Sequence, residues 1–419
     1  MIVGQTIAVG IFLTPAGMAK SLASPFWILV CWLVIGFMTA CGALCYGALA
    51  AKYPETGGGY VFLRRAYGDR VAFLYGWMCM VVMDPGLCAV LAIGITTYLS
   101  FITPLTPLAA KAIACALVIA LGALNILGAR LSAFVMDAFT WAKIAVLVGI
   151  PMWALANGAG SWNNFTPFVA QRANGNPLLP ALAGGLVGAF FSFGGWWEVS
   201  RIAGEIKQPE RNLPRALLIG VLIVLGLYLA VSAIFLYVVP LGSIHSDQGF
   251  VSAMGERLFG GVGGKVLAGV VVLCVLNSLM AFMLAVPRLY YAMAQDGLFL
   301  RQVAMVSSRF GTPYRAIMLQ VALACAMILI GTFDQIISYF IFVSVAFLGI
   351  TCAAALSPKL GLKSGRLPAI CFSVMVAALL VLLVAGRPLQ SLLGTAMTCS
   401  GLVFYNLTKS RGRIIGPSS

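Results

Sequence analysis

Ionisable side chains that could bind or carry charge lie inside long apolar stretches of this sequence, among them Asp84, Lys143 and Glu198. Other reactive side chains are poorly placed for catalysis. The single histidine, His245, lies in a polar stretch, and the 11 cysteines form no CxxC or Cys/His spacing. Neither a metal site nor a nucleophile–base pair is therefore indicated. We expect no enzymatic activity, no metal and no cofactor.

Weakened backbone in two apolar stretches is a second candidate for function. The stretch MIVGQTIAVGIFLTPAGMAK contains Gly4 and Gly10, and its Pro15 disfavours helix at the preceding residue. The stretch FSFGGWWEVS contains the pair Gly194-Gly195. Peptide groups freed by such a break cannot bond to lipid, and each unsatisfied group costs several kcal/mol. Matching breaks in two halves of a chain are typical of secondary transporters, where they face a substrate cavity.

The two breaks would present complementary groups to that cavity. Amide N–H groups and the positive end of a helix dipole, after the first break, suit a carboxylate. Free carbonyls before the second break, at Phe191, Ser192 and Gly194, suit an ammonium. Together they predict a zwitterionic ligand such as an amino acid. The alternative is that the glycine pair only permits close packing of helices, as small residues do in membranes.

The elements that must position these groups are membrane helices. Of the 419 residues, 62% are hydrophobic and 9% are charged, whereas roughly 25% are charged in soluble proteins. Apolar runs of about 20 residues, the length that crosses a bilayer, predict an all-α polytopic membrane protein with twelve spans. The predicted spans cover residues 1–21, 26–51, 71–100, 107–127, 132–157, 179–204, 214–240, 262–294, 314–332, 335–357, 367–386 and 388–407.

The basic residues are unevenly distributed among the connections between these spans. Alternate connections, together with the C-terminal tail, hold most of the Lys and Arg residues, and such an excess marks the cytoplasmic side. Both termini are therefore expected in the cytoplasm, with the chain in the plasma membrane or a bacterial inner membrane. The net charge of +15 then reflects topology and contact with anionic membrane lipids, not binding to nucleic acid.

Four stretches resemble motifs of the amino acid–polyamine–organocation (APC) superfamily of permeases, and most closely its L-type amino acid transporter branch. VGIFLTPAG (Val9–Gly17) is similar to the G-S-G-I-F-x-x-P motif of the first helix. YPETGGGYVFLRRAYG (Tyr53–Gly68) is similar to the connection between helices two and three. FSFGGWWEVSRIAGEIKQPERNLPRAL (Phe191–Leu217) resembles helix six and its loop, and RLYYAMAQDGLF (Arg288–Phe299) resembles helix eight.

The resemblance implies a LeuT-type fold: two inverted repeats of five helices, at 1–157 and 179–357, with helices 1 and 6 broken, and two peripheral helices in 367–407. It implies sodium-independent transport of amino acids by alternating access. The family's carboxylate and ammonium seats fall on Thr6, Val9 and Gly10 and on Phe191, Ser192 and Gly194. Phe191 also matches the aromatic residue that closes over the substrate from outside, where a rotamer change would open the site.

Two features depart from the family pattern. The motif G-S-G reads Ala8-Val9-Gly10, so that Val9 lacks a hydroxyl donor and its branched side chain makes the break bulkier. Only about seven residues precede the break, or roughly 10 Å of helix, against about 15 Å for half of a bilayer. We therefore expect that the chain is truncated or that its start is misassigned.

Lys143 lies in the middle of the fifth span, where an ammonium costs at least about 2.5 kcal/mol and so needs partners. By resemblance it occupies the position of a lysine found in sodium-independent members, whose ammonium replaces a sodium ion between helices one, five and eight. There it would couple transport to protons or brace helix one. The alternative is a structural pair with Asp137, six residues earlier.

Asp84 and Glu198 each allow two interpretations. Asp84 could face the cavity or, as we favour, cap the backbone group freed by Pro85. Glu198 could face the cavity, which would favour cationic or polyamine substrates, or pair with Arg201 three residues on. Arg201 and the charged residues that follow it are expected to form a solvated cytoplasmic loop.

The leading hypothesis is a secondary carrier for a small molecule, an amino acid, that works by alternating access. One alternative is a carrier of cationic amino acids or polyamines. Another is a transport-inactive relative that acts as a scaffold or sensor. Exchange, proton symport and uniport all remain open, as do an accessory subunit and the oligomeric state.

Overall fold

The computed structural model describes residues 2–8, 10–171, 175–243, 249–331, 333–362, 365–386 and 388–412. These residues form α and 3₁₀ helices, a π-helical turn at Cys79–Met83 and irregular connections, and no β-strand occurs among them. Eight helices in the described part are long and apolar enough to cross a membrane, and shorter apolar helices cover Tyr314–Ile330 and Ile341–Leu356. Each of the twelve predicted spans coincides with a helix or a pair of helices, which confirms the all-α polytopic fold.

We number the membrane helices α1 to α12 in chain order. Helix α1 has two halves, α1a and α1b, and α6 has two halves, α6a and α6b. The bounds are α1a Ile2–Thr6, α1b Gly10–Leu22, α2 Pro25–Lys52, α3 Asp69–Ile102, α4 Pro107–Leu127, α5 Ala129–Ala156, α6a Leu178–Ser192, α6b Trp196–Glu205, α7 Pro209–Val238, α8 Gly263–Ala285 continued by Pro287–Gln295, α9 Tyr314–Ile330, α10 Phe333–Ala353, α11 Arg366–Gly386 and α12 Pro388–Gly412. Short helices at Gly59–Tyr67 and Gly249–Phe259 precede α3 and α8.

Both predicted helix breaks are present. Helix α1a ends at Thr6 and α1b begins at Gly10, while α6a ends at Ser192 and α6b begins at Trp196 as a 3₁₀ helix. Gly195, between the halves of α6, has a φ of +98°, a left-handed conformation that glycine adopts with little strain. The glycine pair therefore ends a helix here, and close packing alone does not account for it.

The two breaks lie against each other inside the bundle. Helix α1b packs along α6a, and α1a packs against α7 and α8. A side chain at Gly10 would bring its Cβ within 2.6 Å of the Ser192 Cα atom, a distance that atoms do not tolerate without movement. Glycine at position 10 thus lets the start of α1b touch the end of α6a, and both sets of freed peptide groups border the same space.

Candidate substrate-binding site

The carbonyl groups freed at the end of α1a are bound by a buried ammonium. Lys143 of α5 is 2% exposed, and its Nζ atom lies 3.0 Å from the Gly4 oxygen, 2.5 Å from the Ile7 oxygen and 2.8 Å from Ser278 Oγ of α8. Ser278 Oγ also lies 2.8 Å from the Gly4 oxygen and 2.7 Å from the Ile7 oxygen. The structure thus brings Lys143 to the meeting point of α1, α5 and α8, which is the place that the resemblance implies.

The partners of Lys143 are neutral acceptors, so its charge serves the backbone of the first break. Lipid cannot donate hydrogen bonds to the two freed carbonyls, and the ammonium of Lys143 takes the place of the water that would do so in solution. The alternative pairing with Asp137 falls on a side chain outside the described residues. Lys143 is therefore positioned to hold α1a at a fixed place beside the break.

A tyrosine that the sequence analysis did not identify joins the two breaks. The hydroxyl of Tyr228 on α7 lies 2.9 Å from the Thr6 oxygen and 2.7 Å from the Ser192 oxygen. Its ring is fully buried beside Trp32 and Phe193, with ring centroids 5.1 Å and 5.0 Å away. A buried tyrosine usually needs a hydrogen-bond partner for its hydroxyl. The position of Tyr228 inside an apolar span is the sequence feature by which it could have been identified.

The carbonyls of the predicted ammonium seat are partly engaged by the protein. The Phe191 oxygen accepts from the Gly194 N–H at 3.0 Å, and the Ser192 oxygen accepts from Tyr228. The hydroxyl of Ser192 lies 2.7 Å from Thr14 Oγ1 and donates to the Gly188 oxygen at 2.9 Å. Because each carbonyl oxygen has two lone pairs, the Phe191 and Ser192 oxygens each keep one acceptor position for a ligand.

A cavity of about 660 Å³, counting its open mouth, lies where the breaks meet. Thr6, Gly10, Phe191, Ser192 and Gly194 all line it, which brings together the predicted seat residues that the structure describes; Val9 lies outside the described residues. The rest of the wall is mainly apolar. Its side chains come from Met83, Leu87 and Leu91 of α3, Phe190 and Trp197 of α6, Phe282 of α8 and Ile341 of α10, with polar groups from Gln5, Ser278 and Ser344.

Asp84 and Glu198, which the sequence placed at the cavity as one of two options, do not line it. Instead both contact Arg201. The guanidinium Nη1 and Nη2 lie 2.8 Å and 3.1 Å from Asp84 Oδ2 and Oδ1, and its Nε lies 2.8 Å from Glu198 Oε2. Of the two interpretations of Glu198, pairing with Arg201 is the one observed. All three side chains are at most 1% exposed.

Two expectations about this region were wrong. Arg201 is not part of a solvated loop, because α6b continues to Glu205 and places Arg201 against α3. Asp84 does not cap the backbone beside Pro85, because its carboxylate oxygens contact Arg201 and Tyr290 instead. A buried guanidinium needs compensating partners, and the two carboxylates supply them. In the sequence, the cluster is indicated only by the position of its three charged residues within predicted apolar spans.

We call the end of the helix bundle that carries Lys52, Arg64 and Arg65 the basic side. Between the cluster and this end, further polar contacts connect the helices. The Gly57 N–H donates to the Arg201 oxygen at 3.0 Å. Farther out, Arg288 Nε lies 3.0 Å from Glu205 Oε1, and Asp296 accepts from Tyr60 at 2.8 Å and from Arg64 at 2.6 Å. Helix α6b is thereby tied to α8 and to the connection after α2.

Comparison with known proteins agrees with this architecture. Residues 1–404 match the model of a family described as amino acid permease. The serine/threonine exchanger SteT of Bacillus subtilis is 27% identical over 82% of this chain and 77% of its own. The human b(0,+)-type amino acid transporter 1 is 25% identical over 97% and 85%, and the human large neutral amino acids transporter small subunit 2 is 26% identical over 97% and 78%. With helices α1 to α12 and the central cavity, the match shows that the chain belongs to the amino acid permease family of membrane transporters.

Proposed function

We propose that the protein carries a neutral amino acid across the cell membrane by alternating access, without sodium. One observation carries this proposal: the start of α1b and the end of α6a border one cavity, and no ionisable side chain lines it among the described residues. Amide N–H groups at Gly10 would receive the carboxylate. The carbonyls of Phe191, Ser192 and Gly194 would receive the ammonium.

The side chain of the substrate would then point to the apolar wall. Met83, Leu87 and Leu91 of α3 line the cavity together with Phe282 and Ile341, and such a surface favours an uncharged side chain because a charge there would be desolvated. The alternative of cationic or polyamine substrates depended on a carboxylate of Glu198 in the cavity. With Glu198 paired to Arg201, that alternative loses its support.

The two breaks also supply the moving parts. Alternating access would move α1b and α6a on one side of the substrate and α1a and α6b on the other, within inverted repeats at 1–157 and 179–357. Lys143 would hold α1a in place of a sodium ion. Phe191 would close the cavity by a change of rotamer.

The proposed cellular setting is argued from charge. The basic side carries Lys52, Arg64 and Arg65, so it would face the cytoplasm, with both termini there and the chain in the plasma or inner membrane. Two of the relatives are named for serine and threonine and for large neutral amino acids, which supports a neutral substrate. The name of the first also supports exchange as the mode of transport.

A binding screen on the purified protein tests the site. Thermal melting is measured with each amino acid and with polyamines, because a ligand that binds only the folded state stabilises it by about 2.7 kcal/mol at 100 times its Kd. We expect neutral L-amino acids to raise the melting temperature. Gly10→Ala should abolish that shift, whereas the control Gly17→Ala, whose Cβ would meet nothing within 4 Å, should keep it.

Transport is tested separately by counterflow of the stabilising amino acid in proteoliposomes without sodium. Exchange of labelled substrate against unlabelled substrate is the expected result. Stabilisation by cationic amino acids or polyamines alone would contradict the neutral specificity. Binding without counterflow would instead identify a transport-inactive scaffold or sensor.

A further inference from the structure

The cluster of Asp84, Glu198 and Arg201 contains more acid than base. Arg201 is the only cation in contact with the two carboxylates among the described residues. The other buried cations of the region are engaged elsewhere: Lys143 with the carbonyls of α1a, and Arg288 with Glu205. Three ionised side chains would therefore leave one uncompensated negative charge in a fully buried place, which is strongly unfavourable.

The remaining groups that face the cluster cannot supply a positive charge. They are Tyr46 of α2, Tyr75 and Cys79 of α3, the uncharged indole of Trp197 on α6b, Tyr290 of α8 and Gln320 of α9. Phenols and thiols are neutral at pH 7, and an amide does not titrate. A bound proton is therefore the simplest way to make the cluster neutral.

The two carboxylates differ in how well they are held as anions. Asp84 receives a bidentate pair of N–H groups from Arg201, at 2.8 Å and 3.1 Å, and Tyr290 Oη lies 3.2 Å from its Oδ2. Glu198 has one close contact, from Arg201 Nε to Oε2, and neither of its oxygens has a well-aligned donor among the described residues. Hydrogen bonds to an ionised carboxylate favour the anion, so the proton belongs on Glu198.

The position of the cluster connects this proton to the cavity. Met83 and Trp197 line the cavity, and their chain neighbours Asp84 and Glu198 lie behind that wall toward the basic side. The cluster also ties α6b to α3. Movement of α6b away from α3 would admit water from the basic side, and hydration favours the ionised carboxylate.

We infer that Glu198 carries one proton in this conformation and releases it to the basic side when α6b separates from α3. The carboxylic acid loses H⁺ to water on the basic side and becomes a carboxylate. After α6b has returned to α3, the carboxylate regains H⁺ by way of the cavity, from the opposite side of the membrane, so that the proton moves toward the basic side. One proton would accompany each conformational cycle. The coupling to substrate rests on the proposed function, whereas the presence of the proton does not.

Infrared spectroscopy of the purified protein, in a detergent without ester groups, tests the proton directly. A protonated carboxylic acid has a C=O stretching band that a carboxylate lacks. At neutral pH we expect this band in the wild type and its loss in Glu198→Gln, which keeps the shape of the side chain. The matched control Glu205→Gln, on an acid that is 49% exposed, should leave the band unchanged.

Three outcomes would overturn the inference. They are a wild type without the band, a Glu198→Gln variant that retains it, and loss of the wild-type band when sodium is added at constant pH, which would mean that the cluster binds a metal cation. The first and third outcomes need only the wild-type protein, so the proposal can be refuted even if a variant fails to fold.

Accumulation in proteoliposomes under a pH gradient tests the coupling. The wild type should accumulate more labelled substrate inside the proteoliposomes under the gradient than at equal pH. Glu198→Gln should lose that increase, and Glu205→Gln should keep it. An increase that survives in Glu198→Gln would contradict the coupling. Absence of any wild-type counterflow would refute the proposed function instead, and the infrared result would still decide the proton site.

Discussion

Lys143 and Arg201 are both buried cations close to a helix break, yet the protein stabilises them by opposite means. Lys143 contacts two carbonyls and a hydroxyl, all neutral. Arg201 contacts two carboxylates. The first cation completes irregular backbone, and the second joins two helices through their side chains.

The difference follows from what each break lacks. Among the described residues, no backbone N–H group donates to the Gly4 and Ile7 carbonyls at the end of α1a, and their donors come from α5 and α8. The end of α6a satisfies itself in part, because the Phe193 and Gly194 N–H groups donate to Ala189 and Phe191 at 3.0 Å. Charge is therefore needed for the backbone at α1, whereas at α6b it is free to serve as a contact that can open.

The largest effect on stability is expected from Arg201→Met. Removal of Arg201 leaves the Asp84 carboxylate buried without its cation and Glu198 without its contact, and breaking a buried ion pair in this way costs about 3–5 kcal/mol. Thermal melting in detergent should show a large fall. Arg288→Met, whose partner Glu205 is 49% exposed, should show a smaller one.

A combined variant separates the effect of charge in the cluster from the effect of side-chain shape. Asp84→Asn, Glu198→Gln and Arg201→Met together remove every charge, so most of the lost melting temperature should return. If the combined variant melts as low as Arg201→Met, the shape of the guanidinium and not its charge is what the site requires.

The next effect is expected from Lys143→Ala. Ser278 has one hydroxyl proton and can satisfy only one of the Gly4 and Ile7 carbonyls. The other loses its donor, at about 1–3 kcal/mol for a buried polar group. We expect a lower melting temperature and loss of sodium-free counterflow, because α1a is no longer held.

The control for this prediction is Lys111→Ala. Lys111 Nζ also donates to a backbone carbonyl, that of Leu329 at 2.7 Å, but the contact is exposed to solvent. Water can replace its ammonium, so both measurements should remain near those of the wild type. Unchanged uptake and an unchanged response to pH in Lys143→Ala would show that α1a does not depend on this lysine.

The sequence was informative where the signal is local. Glycines and a proline within apolar runs predicted both breaks, and Lys143 in the middle of a span implied a partner in the membrane interior. The pairing of Glu198 with Arg201 was also within reach, because side chains at i and i+3 align along a 3₁₀ helix. The sequence did not predict that Arg201 would be buried against α3 and not exposed to solvent.

Contacts between distant parts of the chain were not predictable in the same way. Arg201 and Asp84 are separated by 117 positions, and their pairing depends on how α3 and α6b pack. Tyr228 is separated from Thr6 by 222 positions. Neither separation leaves a periodic pattern in one sequence, so the cluster and the link between the breaks had to come from the structure.

The smallest expected effect concerns the neutral link between the two breaks. Tyr228→Phe removes the hydroxyl shared by the Thr6 and Ser192 carbonyls, at about 1 kcal/mol for a typical hydrogen bond. The matched control is Tyr98→Phe, since Tyr98 is 2% exposed and its hydroxyl has no hydrogen-bond partner among the described residues. Thermal melting should fall modestly for the first variant and remain level or rise for the second. Equal shifts would mean that Tyr228 contributes only its ring, and the link between the two breaks would then depend on the Thr14–Ser192 hydroxyl contact and on side-chain packing.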